Sequence, residues 1–362
     1  MAEFSVDIGG LDGFHNQLLH FGDDADEALR VIQDKADLSF YEEGLIQILQ
    51  GAHQHAFDDV TGFLKDLGKI CRDSASEIST VQNYYRTTDA EAAKTVDASL
   101  PGAKDAASTA ATPPPKNSAF ATAAFSDAVD ASTKINRIPS FTSDSTEFQL
   151  DLLTDLSSPS AGVRAACQYA FHFDPFVIWL AWTSGEWNEY SEASVVWGFL
   201  GDWCGAMAQN LERAAGDIPS VWTGQAAEAC QEYLVTLAKV VRAVQQTMTQ
   251  YQKQYAAGSK AARDLFEAVS GPVGLLLDKL LYIAIALAGG TATIPTVIGP
   301  VLGYGAAAYF AYEAIEIYNR ISSLYGNAKS AFYGISGVVG ALDASDDLST
   351  AVKQRFDHPA AN

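Results

Sequence analysis

The chain has 362 residues, of which 48% are apolar and 11% aromatic, so it can form several packed units and is not a disordered chain. Acidic residues outnumber basic ones by 44 to 23, which leaves a formal charge of −21. Such an acidic surface repels a phosphate backbone, and the composition therefore excludes nucleic-acid binding. The 4 cysteines are widely spaced and too few for a disulfide scaffold, which favours buried free thiols.

Residues 1–97 are predicted to form an antiparallel helical hairpin. Apolar residues return every three or four positions on both sides of a break near Asp37 to Gly44, which is the spacing of one helix face. Two long amphipathic helices joined by a short turn would cover each other's apolar stripes. The stripes include Leu18, Phe21, Ala25, Ala28 and Ile32 before the break and Val60, Phe63, Leu64, Leu67, Ile70, Ile78, Val81 and Tyr85 after it.

Residues 98–145 are predicted to be a linker. Ala, Ser, Thr and Pro dominate their composition, in contrast to the helical stripes before them. The run Thr112-Pro113-Pro114-Pro115 lacks backbone donors and excludes a helix. We therefore expect a partly extended connection at this position.

Residues 146–271 are predicted to form a second helical hairpin. One apolar stripe ends at Gly216 to Pro219, and another runs from Ala226 to Tyr255 in steps of mostly three and four. These stripes are typical of coiled-coil-like packing between two helices. The turn of this hairpin is predicted at about Pro219 to Gly224.

Residues 272–342 are predicted to form an apolar helical region. No charged residue occurs from Leu280 to Tyr312, which is long enough for a membrane span, but glycines and prolines divide this stretch into two shorter pieces. A buried helical hairpin and a membrane-inserting element both stay open as interpretations. Residues 343–362, which are acidic and polar, are predicted to be a frayed tail.

The predicted fold class is therefore all-α. It comprises two antiparallel helical hairpins, resembling a four-helix bundle, joined by the Pro/Ala/Ser linker and followed by the C-terminal apolar helical region. The linker is long enough for the two hairpins to pack together. Pairing of the hairpins within one molecule and pairing of each with a separate partner both stay open.

The predicted turn of the second hairpin contains Trp222-Thr223-Gly224. Glycine permits the positive φ of a tight connection, and the indole can close the open end of a hairpin core. A second W-x-G, at Trp203 to Gly205, lies within an apolar stripe and is interpreted as core. With its two flanking helices, the motif resembles the WxG (ESX) helical hairpins of type VII secretion in actinobacteria. The resemblance covers residues 173–257 and includes Ser184-Gly185-Glu186-Trp187 and the stretch from Gly224 to Tyr233.

The end of the first hairpin carries Tyr85-Arg86-Thr87-Thr88-Asp89, which matches the Y-x-x-x-[DE] export signal of the same secretion system. Side chains four apart share one helix face, so a receptor can read the phenol and the carboxylate together. Tyr309 and Tyr312 are also followed four residues later by a glutamate. Only Tyr85 ends a predicted hairpin and precedes a polar segment, which is where the family places its signal.

The resemblance implies a non-enzymatic type VII (ESX-like) secretion substrate or secretion-associated protein that acts through helix–helix interaction. Its implied site residues are Tyr85 and Asp89 as the secretion signal and Trp222 and Gly224 as the turn motif. In the family these two motifs usually lie near each other at one end of a four-helix heterodimer, whereas here one chain carries both. The implied partners are the secretion ATPase or translocase, a WxG-type helical partner or the chain's own second hairpin, and a membrane.

The same resemblance implies a location in the cytoplasm before export, and outside the cell or at its surface afterwards. The N-terminal residues lack the pattern of a secretory signal peptide, which agrees with export by a dedicated machine. Two alternatives stay open for the function. One is a membrane-active exported protein that inserts residues 272–320, and the other is the delivery portion of a toxin without its catalytic domain.

The sequence names no catalytic, cofactor-binding or metal-binding residue, because the usual nucleophile, zinc and phosphate motifs do not occur. An enzyme site assembled from unlinked residues is the remaining class. His53 and His55 point to different sides of a predicted helix, and both are expected to be exposed. Cys204 and Cys230 lie at heights along the second hairpin that differ by about 15 Å, so they are predicted not to form a disulfide.

Overall fold

The structure, a computed structural model, is mostly helical. Helices account for 88% of the described residues, which confirms the predicted all-α class at this level. The described residues are 4–36, 38, 45, 47–88, 90–97, 125–139, 187–292, 298–342 and 355–358.

Helices of very different lengths and two very short strands make up most of the described chain. The helices are α1 (Ile8–Lys35), α2 (Gln47–Thr87), α3 (Ala90–Asp97), α4 (Ser132–Ile135), α5 (Trp187–Val221), α6 (Gln225–Ala292) and α7 (Ile298–Ala341). The strands are β1 (Ser5–Val6) and β2 (Trp222–Thr223), which pair antiparallel. With 68 residues, α6 is roughly 100 Å long.

α1 and α2 pack against each other in opposite directions. Near the start of α1, His15 Nδ1 lies 2.8 Å from the backbone oxygen of Ala75, in the second half of α2. Farther along α1, Asp26 forms an ion pair with Arg72, which precedes Ala75. The apolar faces of both helices are buried along this contact, as the three-to-four-residue spacing predicts.

α5 and α6 form the most extensive helix contact among the described residues, and they also run in opposite directions. A bidentate ion pair joins Glu212 of α5 to Arg242 of α6 at 2.7 and 2.8 Å. Farther from the connection, a Cβ on Gly205 would lie 2.5 Å from Gln245 Nε2, so the missing side chain permits close approach. The glycines of α5 that lie against α6 in this way are Gly198, Gly201 and Gly205.

α7 packs along the second half of α6 and returns to the start of α2. Lys279 of α6 pairs with Glu313 of α7 at 2.8 Å. At the other end of this contact, a Cβ on Gly258 would lie close to both Leu49 of α2 and Ile335 of α7. Among the described residues, no helix combines the length and the apolarity needed to cross a membrane.

Two prolines lie inside helices at positions where the sequence predicts a break or a boundary. α5 continues through Pro219 to Val221, and α6 continues through Pro272. A proline within a helix costs about 3 kcal/mol. Buried side chains flank each of them, such as Val269 and Val273 around Pro272, so packing on both sides offsets that cost.

Part of the predicted linker is packed. Residues 125–139 lie against α1 and α5 and include the short helix α4. The Phe125 ring lies 5.2 Å from that of Phe14, and the fully buried Asn210 exchanges two hydrogen bonds with the backbone of Val129, at 2.9 and 2.8 Å. These few anchors explain why a segment of linker-like composition is ordered at this point.

The start of α1 meets the end of α5 without room for a side chain. A Cβ on Gly10 would overlap Val221 and lie 2.6 Å from its Cβ. We expect Gly10→Ala to lower the free energy of unfolding by about 1 to 3 kcal/mol, because the helices must separate. The control is Gly62→Ala, where an added Cβ meets nothing within 4 Å and better helix propensity raises the free energy by about 0.5 to 1 kcal/mol. Urea unfolding measures both, and equal effects from the two substitutions would contradict this packing.

Candidate functional site

Trp222 lies in the connection between α5 and α6, as the sequence predicts. Its backbone forms an antiparallel strand pair with Val6, and Thr223 pairs with Ser5 in the same way. The N-terminal segment is therefore bound to the connection. Gly224 follows with φ at 131°, a conformation that residues with a side chain rarely adopt. The indole of Trp222 is fully buried at this end of the helices.

Tyr85 lies in the last turn of α2 and contacts Trp222. The two ring centroids are 6.1 Å apart in an edge-to-face arrangement, and the Phe4 ring also contacts Tyr85, with ring centroids 5.5 Å apart. The structure thus brings together the tyrosine of one predicted motif and the tryptophan of the other. Asp89 lies outside the described residues.

Tyr85 is buried, whereas the expected role as an export signal requires an accessible side chain. Only 8% of this residue is exposed. Residues 355–358, which we call the tail segment, cover it. The phenol oxygen lies 3.3 Å from His358 Nε2, and the imidazole ring also packs against Trp222.

The tail segment is bound by polar groups of α2. Glu77 Oε1 accepts a hydrogen bond from the His358 backbone amide at 2.8 Å, and Ser74 Oγ accepts one from the Phe356 amide at 3.3 Å. Phe356 is 5% exposed and His358 is fully buried. The prediction of a frayed tail is therefore wrong for these residues. We call the surface that receives them the tail groove, and it consists of Ser74, Glu77, Tyr85, Trp222 and Tyr233.

Sequence reasoning missed Ser74, Glu77, Phe356 and His358. Glu77 interrupts the apolar stripe of α2 at a buried position, and Phe356 is the sole aromatic residue after Tyr333. Both features indicate that the residue makes a specific tertiary contact. The sequence does not show that Glu77 and Phe356 lie at the same site, because more than 270 residues separate them.

The other two tyrosines that match the export pattern are on α7 and are exposed. Tyr309 donates a hydrogen bond to Glu313 at 3.1 Å, and Tyr312 donates one to Glu316 at 2.8 Å. About three-fifths of each tyrosine is accessible to solvent. Exposure alone would therefore favour these pairs, and contact with Trp222 is what distinguishes Tyr85.

His53 is buried between α2, α5 and α6, so its predicted exposure is wrong. Its Nδ1 lies 2.6 Å from the Tyr255 hydroxyl, and the rings of Tyr190 and Trp197 surround it. Burial lowers the pKa of His53 to about 4, although a hydrogen bond with a backbone group opposes the shift. His55, in contrast, has a side chain that is 45% exposed.

His20, Asp24 and Asp127 form a cluster whose possible ligand atoms lie within 4.8 Å of one another. His20 Nε2 lies 3.0 Å from Asp127 and 3.8 Å from Asp24. Burial and nearby acidic groups raise the pKa of Asp24 to about 6, against the opposing effect of His20. Pairing of one imidazole with two carboxylates accounts for this cluster, which fastens residues 125–139 to α1.

The described cysteines are free and buried, which confirms that Cys204 and Cys230 form no disulfide. Burial raises the pKa of the Cys71 thiol to about 12 and raises those of Cys204 and Cys230 further. Thiolates are therefore disfavoured at neutral pH, and these three residues lack the environment of a nucleophile. Cys167 lies outside the described residues.

Comparison with known proteins places the chain in no family. No family model matches it, and no curated protein or solved structure is similar to it. The resemblance to WxG (ESX) hairpins therefore stays a prediction. What the fold defines is a mostly helical protein in which Tyr85 and Trp222 meet at one end of the helices.

The buried imidazole of His53 predicts a pH-dependent stability. Its folded pKa, about 4, lies below the unfolded value of 6.5, so the unfolded chain binds the proton more readily. Stability is complete above pH 6.5 and is lost as the pH falls towards 4. We expect this group to remove about 3 kcal/mol over that interval. Urea unfolding of the wild type and of His53→Gln across this range should show a weaker pH dependence in the variant.

The matched control is His55→Gln, two residues away on the same helix. Because the His55 side chain is 45% exposed, we expect this substitution to change the pH dependence less than His53→Gln does. If both substitutions change the pH dependence equally, burial of His53 is not its cause.

Proposed function

We propose that this chain is a non-enzymatic substrate or secretion-associated protein of a type VII (ESX-like) secretion system. The contact between Tyr85 and Trp222, with ring centroids 6.1 Å apart, is the observation that carries the proposal. It joins the predicted export tyrosine to the predicted W-x-G connection at one end of the helices. In this proposal, the protein acts through helix–helix contacts and by presenting this end to a receptor.

The finer architecture belongs to the same proposal. α1 with α2 and α5 with α6 are two antiparallel hairpins of a four-helix bundle within a single chain. Support comes from contacts between the pairs, such as Tyr233 of α6 with Ser74 of α2 at 3.4 Å. A chain that pairs its own hairpins would need no separate WxG-type partner for export.

Recognition by the secretion ATPase or translocase is assigned to Tyr85 and Asp89. The protein would then be cytoplasmic before export and secreted or bound at the cell surface after it. Trp222 and Gly224 have a supporting role, because they close the core on which the tyrosine packs.

Export should depend on Tyr85 and Asp89. We expect Tyr85→Ala and Asp89→Asn each to lower the amount of protein in culture filtrate about tenfold or more, as for the loss of a central contact residue. Immunoblots of filtrate and lysate measure the ratio. A strain without the secretion ATPase gives the baseline, where the filtrate form is absent.

Tyr312→Ala is the matched control, since Tyr312 has the same spacing to a glutamate but is exposed on α7. It should be exported at the wild-type level. Tyr85→Phe keeps the packed ring and tests whether loss of export reflects unfolding. Wild-type export of folded Tyr85→Ala and Asp89→Asn would overturn the signal, and equal loss in Tyr312→Ala would show that Tyr85 is not specific.

A membrane-active role is the second candidate, which the apolar surface of α7 favours. Large apolar side chains are exposed along this helix, and they are Tyr309, Tyr312, Ile315, Tyr318, Tyr333 and Val338. Exposed apolar patches of this kind often mark a contact with another protein or with lipid. A toxin-delivery role would use the same surface, but no described contact favours it over simple membrane binding.

Vesicle flotation of the full chain tests this candidate. If α7 binds lipid, the protein should float with zwitterionic vesicles and less with anionic ones, because its charge of −21 is repelled. Ile315→Glu should lower the bound fraction about tenfold, since an exposed apolar contact is lost. Gln209→Glu, at an exposed position of α5, should have no effect. A chain that stays unbound on both kinds of vesicle is not membrane-active.

A further inference from the structure

The tail segment forms no helix or strand, and its burial alternates as in an extended peptide. Arg355 and Asp357 are exposed, whereas Phe356 and His358 are buried. Such alternation is typical of a strand-like segment that packs one face against the protein. The backbone amides of the two buried residues are bound by Ser74 and Glu77. The groove therefore accepts a hydrogen bond from the backbone amide of every second residue, as proteins do when they bind extended peptides.

The two buried side chains of the tail segment both contact Trp222 and differ in their second aromatic neighbour. Phe356 packs between Trp222 at 6.3 Å and Tyr233 at 6.0 Å, measured between ring centroids. His358 packs against Tyr85 at 5.9 Å. An aromatic residue followed two positions later by a histidine is thus the side-chain pattern that the groove accepts.

Glu77 and Ser74 indicate that α2 is adapted to this ligand. A buried carboxylate is rare unless it is paired, and Glu77 is 4% exposed. Its two oxygens serve the tail segment, one through the His358 amide and the other at 4.0 Å from Arg355. A role in helix packing alone would be met better by an apolar side chain at this position.

The groove contains a buried polar atom that the described tail residues do not bind. The indole N–H of Trp222 is buried without a hydrogen-bond partner among the described residues. Burial of an unsatisfied donor costs about 1 to 3 kcal/mol.

We propose that the tail groove is a peptide-binding site for an extended aromatic-x-His segment, that residues 355–358 are its resident ligand, and that this ligand covers Tyr85 until it is released. The second part rests on the proposed function, because it assigns a role to access at Tyr85. The first part stands independently of secretion. Release of the tail segment then makes the buried Tyr85 side chain accessible to a receptor.

Peptide exchange in the full chain tests the groove. The probe is a fluorescent synthetic peptide with the sequence of residues 351–362, and anisotropy measures its binding. The double variant Phe356→Ala, His358→Ala should bind it at least tenfold more tightly than the wild type, in which an attached ligand competes at roughly 1 mM effective concentration. Equal binding to both proteins, or binding of a scrambled peptide as well, overturns the proposal.

Two further variants show where the peptide binds. Glu77→Gln, added to the double variant, should weaken peptide binding about tenfold, because the amide no longer offers the negative charge that faces the His358 N–H and Arg355. Gln209→Glu, at an exposed position of α5 outside the groove residues, should leave peptide binding to the double variant unchanged. Tight binding that survives Glu77→Gln would place the peptide elsewhere and refute the groove.

If the double variant does not fold, hydrogen exchange of the wild type tests the release of the tail segment instead. The Phe356 and His358 amides should exchange through local opening, faster than the core amides of α2. Exchange of these amides only through global unfolding would show that the tail segment is not released, and would overturn the proposal.

Nitration with tetranitromethane tests the covering of Tyr85, with exposed Tyr312 as the internal standard. Tyr85 should be nitrated several-fold faster in the double variant than in the wild type, and an unchanged rate contradicts the covering. Failure of the proposed function has a different signature. In that case peptide exchange and nitration change as expected, while Tyr85→Ala is still exported.

Discussion

Burial of the Trp222 indole is the constraint on which this structure depends. Four separate parts of the chain meet around it: the N-terminal strand, the end of α2, the connection between α5 and α6, and the tail segment. None of the four could bury its apolar side chains at this end alone. The junction therefore couples the two helix pairs, and it explains why Gly10 and Gly224 are needed beside it, one for close approach and one for a positive φ.

The same junction links packing to the proposed recognition. The Tyr85 ring contributes to core packing when it is covered, and it can contact a receptor only when it is accessible. A short segment reconciles these demands, because it is bound by two hydrogen bonds to α2 and a few ring contacts. Helices of 35 and 68 residues could not be displaced so readily, since each buries a long apolar stripe.

Sequence periodicity was sufficient to predict the helical class and the position of Trp222 between two helices, because these depend on local spacing. It could not predict that Phe356 and His358 return to α2, since a contact over some 270 residues leaves no periodic trace. His53 was wrongly predicted to be exposed for a related reason. Its neighbours Tyr190, Trp197 and Tyr255 come from distant helices and together form a site that admits a neutral imidazole.

The meeting of both flanking segments at one end also has a mechanical consequence. Residues 5–6 are joined to the connection by a two-residue ladder, and residues 355–358 by a few hydrogen bonds and rings. Tension applied along the chain from either side therefore acts first on a short attachment beside Trp222, and only afterwards on the long helix contacts.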